Sequence, residues 1–554
     1  MIQSKFRSTL GENIFRHKYA QGSEDTWDAC ADRIVEDVCG TRWGKDKALM
    51  SKDDRDQLAQ YIKEFKFLPG GRYIYYAGRP NSYWNNCYLL KAEEDTREEW
   101  ASLAQRATSC LMTGGGIGVD YSILRGKGKP IRRTGGVSSG PLSLMNMINE
   151  IGRNVMQGGS RRSAIYASLN WNHEDVPLFL QAKNWNTIIK NLKADDFNFP
   201  AQLDMTNISL NYDDDWLYSG TALSSDFEHE AFRAVSPTFL QNCRQAMETG
   251  EPGFSFNFGE KSNETLRNAC TEVTSEDDSD VCNLGSVNIG AIESIAELES
   301  VVELASHFLV CGTIRADLPY QKVYEVRDRN RRLGLGLMGI HEWLLLRGYP
   351  YEVVPELHEW LTIYEHTSEK AANEHCDRFF ISRPKAFRAI APTGTIGILA
   401  GTTTGIEPLF AVAYKRRYLK DGTRWHYEYC IDATAEVLIK QGIKPEAIET
   451  AYGLSGDYEK RIKFQADIQD YVDMSISSTI NLSAWGSKGN SESDVGRFAA
   501  TLSKYAPRLR GFTCYPDGSR GGQPITEVSY EEAAKHKGIV YEENNMCNNG
   551  VCGI

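Results

Sequence analysis

From Cys87 onward the chain switches repeatedly between short runs rich in β-branched and aromatic residues and longer stretches with helical periodicity. Ile117–Ile123, Ile165–Leu169, Met205–Leu210, Phe254–Phe258 and Val287–Ile289 read as strands. Pro141–Met156, Ile295–Val310, Pro355–Cys376 and Gln465–Ile476 read as helices. Parallel neighbours in a sheet need a long crossover, and a helix is the usual one, so this alternation predicts a mostly parallel sheet or barrel wrapped by helices. Residues 1–80 read as a mainly helical region, in which Ser23 caps a helix over Asp25–Val38 that Gly40 stops. A chain of 554 residues exceeds one small core. The expected division is a helical region over 1–80, an α/β core over 81–525 and a tail over 526–554, whose Gly- and Asn-rich end predicts mobility.

Composition narrows the function classes. A net charge of -12 disfavours holding duplex DNA. No stretch reaches the ~18–20 apolar residues of a membrane span, and Met1–Tyr19 has no apolar signal core. A cytoplasmic protein is expected, with its 13 cysteines mostly reduced. Generic nucleotide and metal motifs fail. There is no Gly-Lys-Ser/Thr for a phosphate-binding loop. Gly334-Leu-Gly336-Leu-Met-Gly339 matches a dinucleotide fingerprint, but the run before it, Arg327 to Arg332, is charged rather than an apolar strand. No Cys-x-x-Cys occurs, no Glu lies three residues before a His, and Glu374, His375 and Cys376 point different ways on a helix, so no metal site is expected.

Five segments carry chemistry. Asn268-Ala-Cys270-Thr-Glu272, if extended, sets an amide, a thiol and a carboxylate on one side; a polar loop is the plainer reading. Cys282-Asn-Leu-Gly-Ser follows, and Asn85-Asn86-Cys87-Tyr-Leu-Leu lies upstream; each alone could be a buried cysteine opening a strand. Cys547 and Cys552, on a polar terminus, suit thiol exchange better than packing. Thr393-Gly394-Thr395 and the Gly- and Thr-rich run after it offer hydroxyls and free N–H groups to phosphate oxygens, or form a plain turn.

Together these segments resemble ribonucleotide reductase over nearly the whole chain. Leu68-Pro-Gly-Gly-Arg72, Thr113-Gly-Gly-Gly-Ile-Gly118, Gln157-Gly-Gly-Ser-Arg161-Arg162 and Asn330 to Gly339 agree with it. The resemblance implies a ten-stranded α/β barrel of two antiparallel five-stranded halves, with a central finger loop. It implies Cys270 as the thiyl radical, Glu272 as general base, Asn268 holding a ribose hydroxyl, and Cys87 and Cys282 as the electron pair. Cys547 and Cys552 would then pass electrons from a thioredoxin- or glutaredoxin-like reductant. Asn86, Gly115, Thr393, Gly394 and Thr395 would hold the ribonucleotide substrate. The loops at Arg132 and Arg161 would take a dNTP or ATP specificity effector, and a homodimer is implied.

The radical source divides the family. A partner subunit would need a Tyr-Tyr pair where this chain has only Tyr515, in Cys514-Tyr-Pro-Asp-Gly-Ser-Arg520. That run, like Ser477-Ser-Thr-Ile-Asn-Leu482, is similar to the adenosylcobalamin-dependent class. Val551-Cys-Gly-Ile554 only faintly resembles a glycyl-radical motif and lacks its arginine. The alternative is a catalytic subunit that receives its radical from a separate metal-containing subunit. A nucleotide-sensing relative without catalysis would lack at least one of Cys87, Cys270, Glu272 or Cys282, and all are present. The family-like segment starts by residue 15, so no N-terminal activity-switch domain is expected.

Overall fold

The computed structural model describes residues 5–41, 47–132, 135–155, 163–196, 199–219, 236–420, 424–519, 525–537 and 539–542. In chain order its strands are β1 (Phe67–Pro69), β2 (Cys87–Lys91), β3 (Gly116–Asp120), β4 (Ile165–Asn170), β5 (Thr206–Tyr212), β6 (Gly253–Phe256), β7 (Leu266–Arg267), β8 (Thr274–Ser275), β9 (Asp280–Asn288), β10 (Leu333–Met338), β11 (Ala413–Lys420), β12 (Arg424–Ile431), β13 (Thr479–Leu482), β14 (Gly511–Pro516), β15 (Ile525–Glu527) and β16 (Val540–Glu542).

Ten of them form one mostly parallel sheet, β1-β9-β2-β3-β4-β5-β6-β14-β13, with β10 also on β9. The run β2 to β6 is parallel throughout, as are β9 with β10 and β13 with β14. The two parallel sets meet in antiparallel contacts, β2 against β9 and β6 against β14. Past β10, Leu335 bridges Arg388 and Ile390 bridges Ile476, both in parallel sense. Side chains alternate along β2: Tyr88 and Leu90 join the large core, whereas Cys87 and Leu89 join a smaller apolar cluster with Leu266, Val273, Cys282 and Leu284. That smaller cluster holds two of the candidate cysteines, Cys87 and Cys282.

The alternation of elements matches the sequence reading, with corrections at several places. The first long helix runs Trp27–Cys39 and its cap is Thr26, whose side chain accepts from Ala29 N, not Ser23. The helix expected over Gln465–Ile476 instead spans Tyr458–Gln469, because Asp457 caps it from Lys460 N; Ile476 is extended and bridges Ile390. Residues 1–80 are not wholly separate from the sheet, since β1 pairs with β9. Nor is 526–554 a tail throughout. β15 and β16 flank β11 and β12 in a second, four-stranded sheet, and helix Tyr530–His536 lies between them in sequence. Residues 334–338 of the Gly334–Gly339 run lie in the buried strand β10, and Gly339 follows it; a Cβ on Gly336 would lie 2.6 Å from Ala389 O, so strand packing accounts for that glycine. Among the described residues no helix is long and apolar enough to cross a membrane.

Candidate active site

β7 and β8 form a hairpin with a ladder of only two residue pairs, and the loop between them, 268–273, carries three of the expected residues. Thr271 N donates to Asn268 O at 3.0 Å, and Thr271 has φ +69. The segment is therefore a turn rather than extended, and the even spacing of 268, 270 and 272 does not put all three side chains together. Asn268 and Glu272 are buried on the dithiol side, while Cys270 is exposed at the tip.

Close approach of backbones fixes this hairpin against the sheet. A Cβ on Gly118 of β3 would lie 1.6 Å from Arg267 O, and one on Gly116 3.2 Å from the Ala269 Cβ. Gly118 is required because no side chain fits between the two chains. The base of the hairpin is held by buried charge. Glu264 accepts from Thr274 Oγ1 at 2.7 Å, Arg510 Nη2 at 2.9 Å and Arg332 Nη1 at 3.1 Å. Arg332 also donates to Asp280 Oδ2 at 2.8 Å, and Arg267 Nη2 reaches Asn257 Oδ1 at 2.7 Å. Burial pushes the Glu264 carboxyl up, but Arg332 and Arg510 outweigh it and hold the group at about 2. Burial, and then Arg510, lowers Arg267 to about 9. The sequence reading missed this network. Its signal was a Glu and an Arg flanking the Asn-x-Cys-x-Glu run, which does not reveal partners more than sixty residues away.

Cys87 opens β2 and pairs directly with Cys282 of β9. Facing residues of an antiparallel pair lie ~4.5–5.5 Å apart at Cα and point to one face, within the ~4.4–6.8 Å that a disulfide spans. Both thiols are raised well above the ordinary value, chiefly by burial, and stay protonated. Asn268 Nδ2 lies 2.9 Å from Cys87 Sγ, and Asn268 Oδ1 accepts from Val273 N at 2.9 Å. Glu272 Oε1 lies 3.8 Å from the same sulfur, and Oε2 is buried with no protein partner. Burial drives the Glu272 carboxyl up to about 7, against the opposing hydrogen bonds of Asn268, the Glu272 backbone and Cys87. A carboxyl poised there exchanges its proton near neutral pH.

Asn86 and Gly115 stand at the adjoining starts of β2 and β3. Asn86 O accepts from Gly116 N at 2.9 Å, and Asn86 Oδ1 is buried without a protein partner. Gly115 is buried against the Tyr88 ring, which a Cβ would meet at 2.3 Å, so packing alone demands glycine there. Thr393 precedes the short helix Gly394–Ala400 with φ +48, and its hydroxyl accepts from Gly405 N at 2.8 Å. Gly394 faces open space. Arg132 is exposed in the loop bridged at Pro130 and Val137. Arg161, Cys547 and Cys552 lie outside the described residues.

A cavity of about 610 Å³ has Cys270 in its lining. Asn207, Ser477, Thr479, Asn481, Tyr515 and Gly394 are among its walls. Its lining includes the carboxylates Glu251, Glu407 and Asp432 but no Lys, Arg or His among the described residues. Ala269, Cys270 and Thr271 line the cavity, whereas Cys87, Asn268, Glu272 and Cys282 do not.

Two facing thiols, a carboxyl raised to about 7 and a third cysteine on a hairpin tip make a candidate thiol redox site. The model of the ribonucleotide reductase barrel domain matches residues 85–210, 239–373 and 382–505. The chain belongs to the ribonucleotide reductase family. It is 27% identical, over 86% of its length and 73% of the relative's, to a vitamin B12-dependent ribonucleoside-diphosphate reductase of Mycobacterium tuberculosis. A protein of Mycobacterium phage D29 described as an adenosylcobalamin-dependent ribonucleoside-triphosphate reductase is 24% identical over 98% of both chains. A vitamin B12-dependent ribonucleoside-diphosphate reductase of Thermoplasma acidophilum is 25% identical over 86% of this chain and 67% of that one.

Proposed function

We propose that this chain reduces ribonucleotides to 2′-deoxyribonucleotides, with adenosylcobalamin as the source of the radical. The observation that carries the reading is one hairpin that sets Cys270 in the cavity lining and Asn268 and Glu272 beside the Cys87–Cys282 pair. The two antiparallel parallel-stranded sets, together with the Leu335–Arg388 and Ile390–Ile476 bridges, support a ten-stranded barrel closed around the hairpin as a central finger.

The cavity fits the cofactor. Carboxylates and hydroxyls of the lining accept hydrogen bonds from a rim of amides, and no Lys, Arg or His stands in it among the described residues. When bound, adenosylcobalamin supplies a radical by homolytic cleavage, without a partner subunit. With its sulfur as the radical, Cys270 takes the 3′ hydrogen of the ribose. Ionised Glu272 takes the 3′ hydroxyl proton, and Asn268 orients that hydroxyl. The C2′–O bond breaks as the 2′ hydroxyl leaves as water with one thiol proton, and the other thiol hydrogen goes to C2′. Cys87 and Cys282 give two electrons and become a disulfide, and Glu272 returns its proton to the 3′ oxygen. Cys270 then returns the hydrogen to C3′. Cys547 and Cys552 reduce the disulfide by exchange and are reset by a thioredoxin- or glutaredoxin-like protein.

Asn86, Gly115 and Thr393–Thr395 hold the substrate, the last by N–H groups and hydroxyls at a helix start. Arg132 and Arg161 bind a dNTP or ATP effector in a cytoplasmic homodimer. The test is anaerobic incubation of the full chain with CDP or CTP, a dithiol and adenosylcobalamin, with Cys270→Ala as control. Deoxycytidine product that needs the cofactor and vanishes in the control is expected. No product with either nucleotide across a panel of effectors overturns the cofactor assignment and favours a separate radical subunit.

A further inference from the structure

A second pair of thiols lies outside the nucleotide site. Cys39 ends helix Trp27–Cys39, Cys311 sits in helix Ile295–Arg315, and their side chains are hydrogen-bonded to each other. Cys311 Sγ also lies 3.4 Å from His375 Nε2, on helix Pro355–Arg378. The His375 ring stacks on that of His307 at 4.3 Å, and His375 Nδ1 has no partner. Both thiols are fully buried, and both imidazoles nearly so. Among the described residues no three His, Cys, Asp or Glu are placed to hold a metal ion, so the cluster's chemistry is that of thiols and a base.

We propose that Cys39 and Cys311 are a second redox site, which hydrogen peroxide closes to a disulfide with His375 as the base. His375 Nε2 takes the Cys311 proton, and the thiolate attacks one peroxide oxygen. The S–O bond forms, the O–O bond breaks, and the leaving hydroxide takes the proton back as water. The Cys39 thiol then attacks the sulfenic sulfur of Cys311. The S–S bond forms, the S–O bond breaks, and a second water leaves with the Cys39 proton. Two thiols lose two electrons and two protons, and one peroxide becomes two waters.

The two sulfurs are already differentiated for these roles. At Cys311, burial opposes ionisation, but the Cys39 hydrogen bond and His375 outweigh it and lower the thiol to about 6. Burial, and then Cys311, drives Cys39 well above the ordinary value, leaving it a thiol. A thiolate beside a thiol is the state from which the first attack starts. Buried cysteines without a base differ: Cys514 is pushed up to about 12 by burial alone. Full burial also selects the oxidant, since a water-sized peroxide can enter where glutathione disulfide or a protein disulfide cannot. Gly312, next to Cys311, packs on Tyr73, whose hydroxyl accepts from Asn283 Nδ2 at 2.6 Å. The bridge would therefore sit one tyrosine away from the strand that carries Cys282.

The test is independent of nucleotide reduction, so its outcome and that of the reductase assay separate. The reduced full chain is treated with hydrogen peroxide, remaining thiols are alkylated, and digested peptides are mapped by mass spectrometry. A peptide linking Cys39 to Cys311 is expected, absent with glutathione disulfide and slowed at least about tenfold in His375→Gln. Both thiols remaining alkylatable at a peroxide dose that joins Cys87 to Cys282 overturns the proposal. So does linkage at an unchanged rate in His375→Gln. If that variant fails to fold, Cys39→Ser replaces it. Cys311 then stops at the sulfenic acid, which dimedone traps when the peroxide is quenched and the chain unfolded in its presence, and the lack of an adduct overturns the proposal equally.

Discussion

Gly118→Ala tests whether the hairpin's contact with β3 sets the position of Cys270. The added Cβ would stand 1.6 Å from Arg267 O, 2.7 Å from Arg267 C and 3.2 Å from Asn268 Cα. Unstrained carbon contacts start at about 3.5 Å, so the two backbones must part by about 2 Å. Both are held, the strand by β2 and β4 and the hairpin by Glu264 and Arg267, so the strain is shared rather than relieved. Overpacking of this kind costs about 1–3 kcal/mol. Misplacing a reacting group by ~1 Å costs ~100-fold in rate, so kcat should fall by at least that factor. The KM for the nucleotide should change less than kcat, because Thr393–Thr395 lie on a different element and Gly115 alone adjoins the displaced strand in sequence. The assay is cofactor-dependent deoxycytidine formation, with circular dichroism and urea unfolding on the same samples. Gly496→Ala is the control: its Cβ meets nothing within 4 Å, and in a helix it should stabilise by up to ~1 kcal/mol. A Gly118→Ala enzyme within about threefold of the parent in kcat would refute the reasoning.

Other perturbations give separate readings. If ionised Glu272 is the base, kcat/KM should rise with pH through about 7. Because its folded value lies above its unfolded one, the stability it contributes is complete below the unfolded value near 4.5 and is lost as pH rises through about 7. Glu272→Gln should flatten that dependence by roughly 3 kcal/mol between pH 5 and 8, and an unchanged slope in urea unfolding would exclude the assignment. Glu264→Gln leaves Arg332 and Arg510 short of a buried anion and should cost about 3 kcal/mol, with Glu264→Asp recovering part of it. Cys87→Ser or Cys282→Ser should abolish multiple turnover while leaving circular dichroism unchanged; normal turnover with dithiol in either variant would remove the pair from the mechanism.

The alternation of strand-like and helical runs was enough to predict an α/β sheet, because burial on both faces leaves apolar runs that any sheet with helical crossovers requires. Short-range chemistry was equally readable. Cys87, Asn268, Cys270, Glu272 and Cys282 stand in spaced motifs, and those motifs carried the family resemblance. The side on which each group faces was not readable. Period-two reasoning puts Asn268, Cys270 and Glu272 together only in an extended segment; the segment is the polar loop of the plainer reading, with a positive φ at Thr271 and Cys270 in the cavity lining. Only the fold brings Glu264 to Arg332 and Arg510, or Cys39 to Cys311 and His375. These contacts join residues tens to hundreds of positions apart. The second sheet escaped notice for a related reason: β15 and β16 are three residues each and become strands only where β11 and β12 offer them an edge. The pKa of Glu272 belongs to the same class, since a carboxyl near 7 is a property of the dry interior around it and not of the residues beside it in the chain.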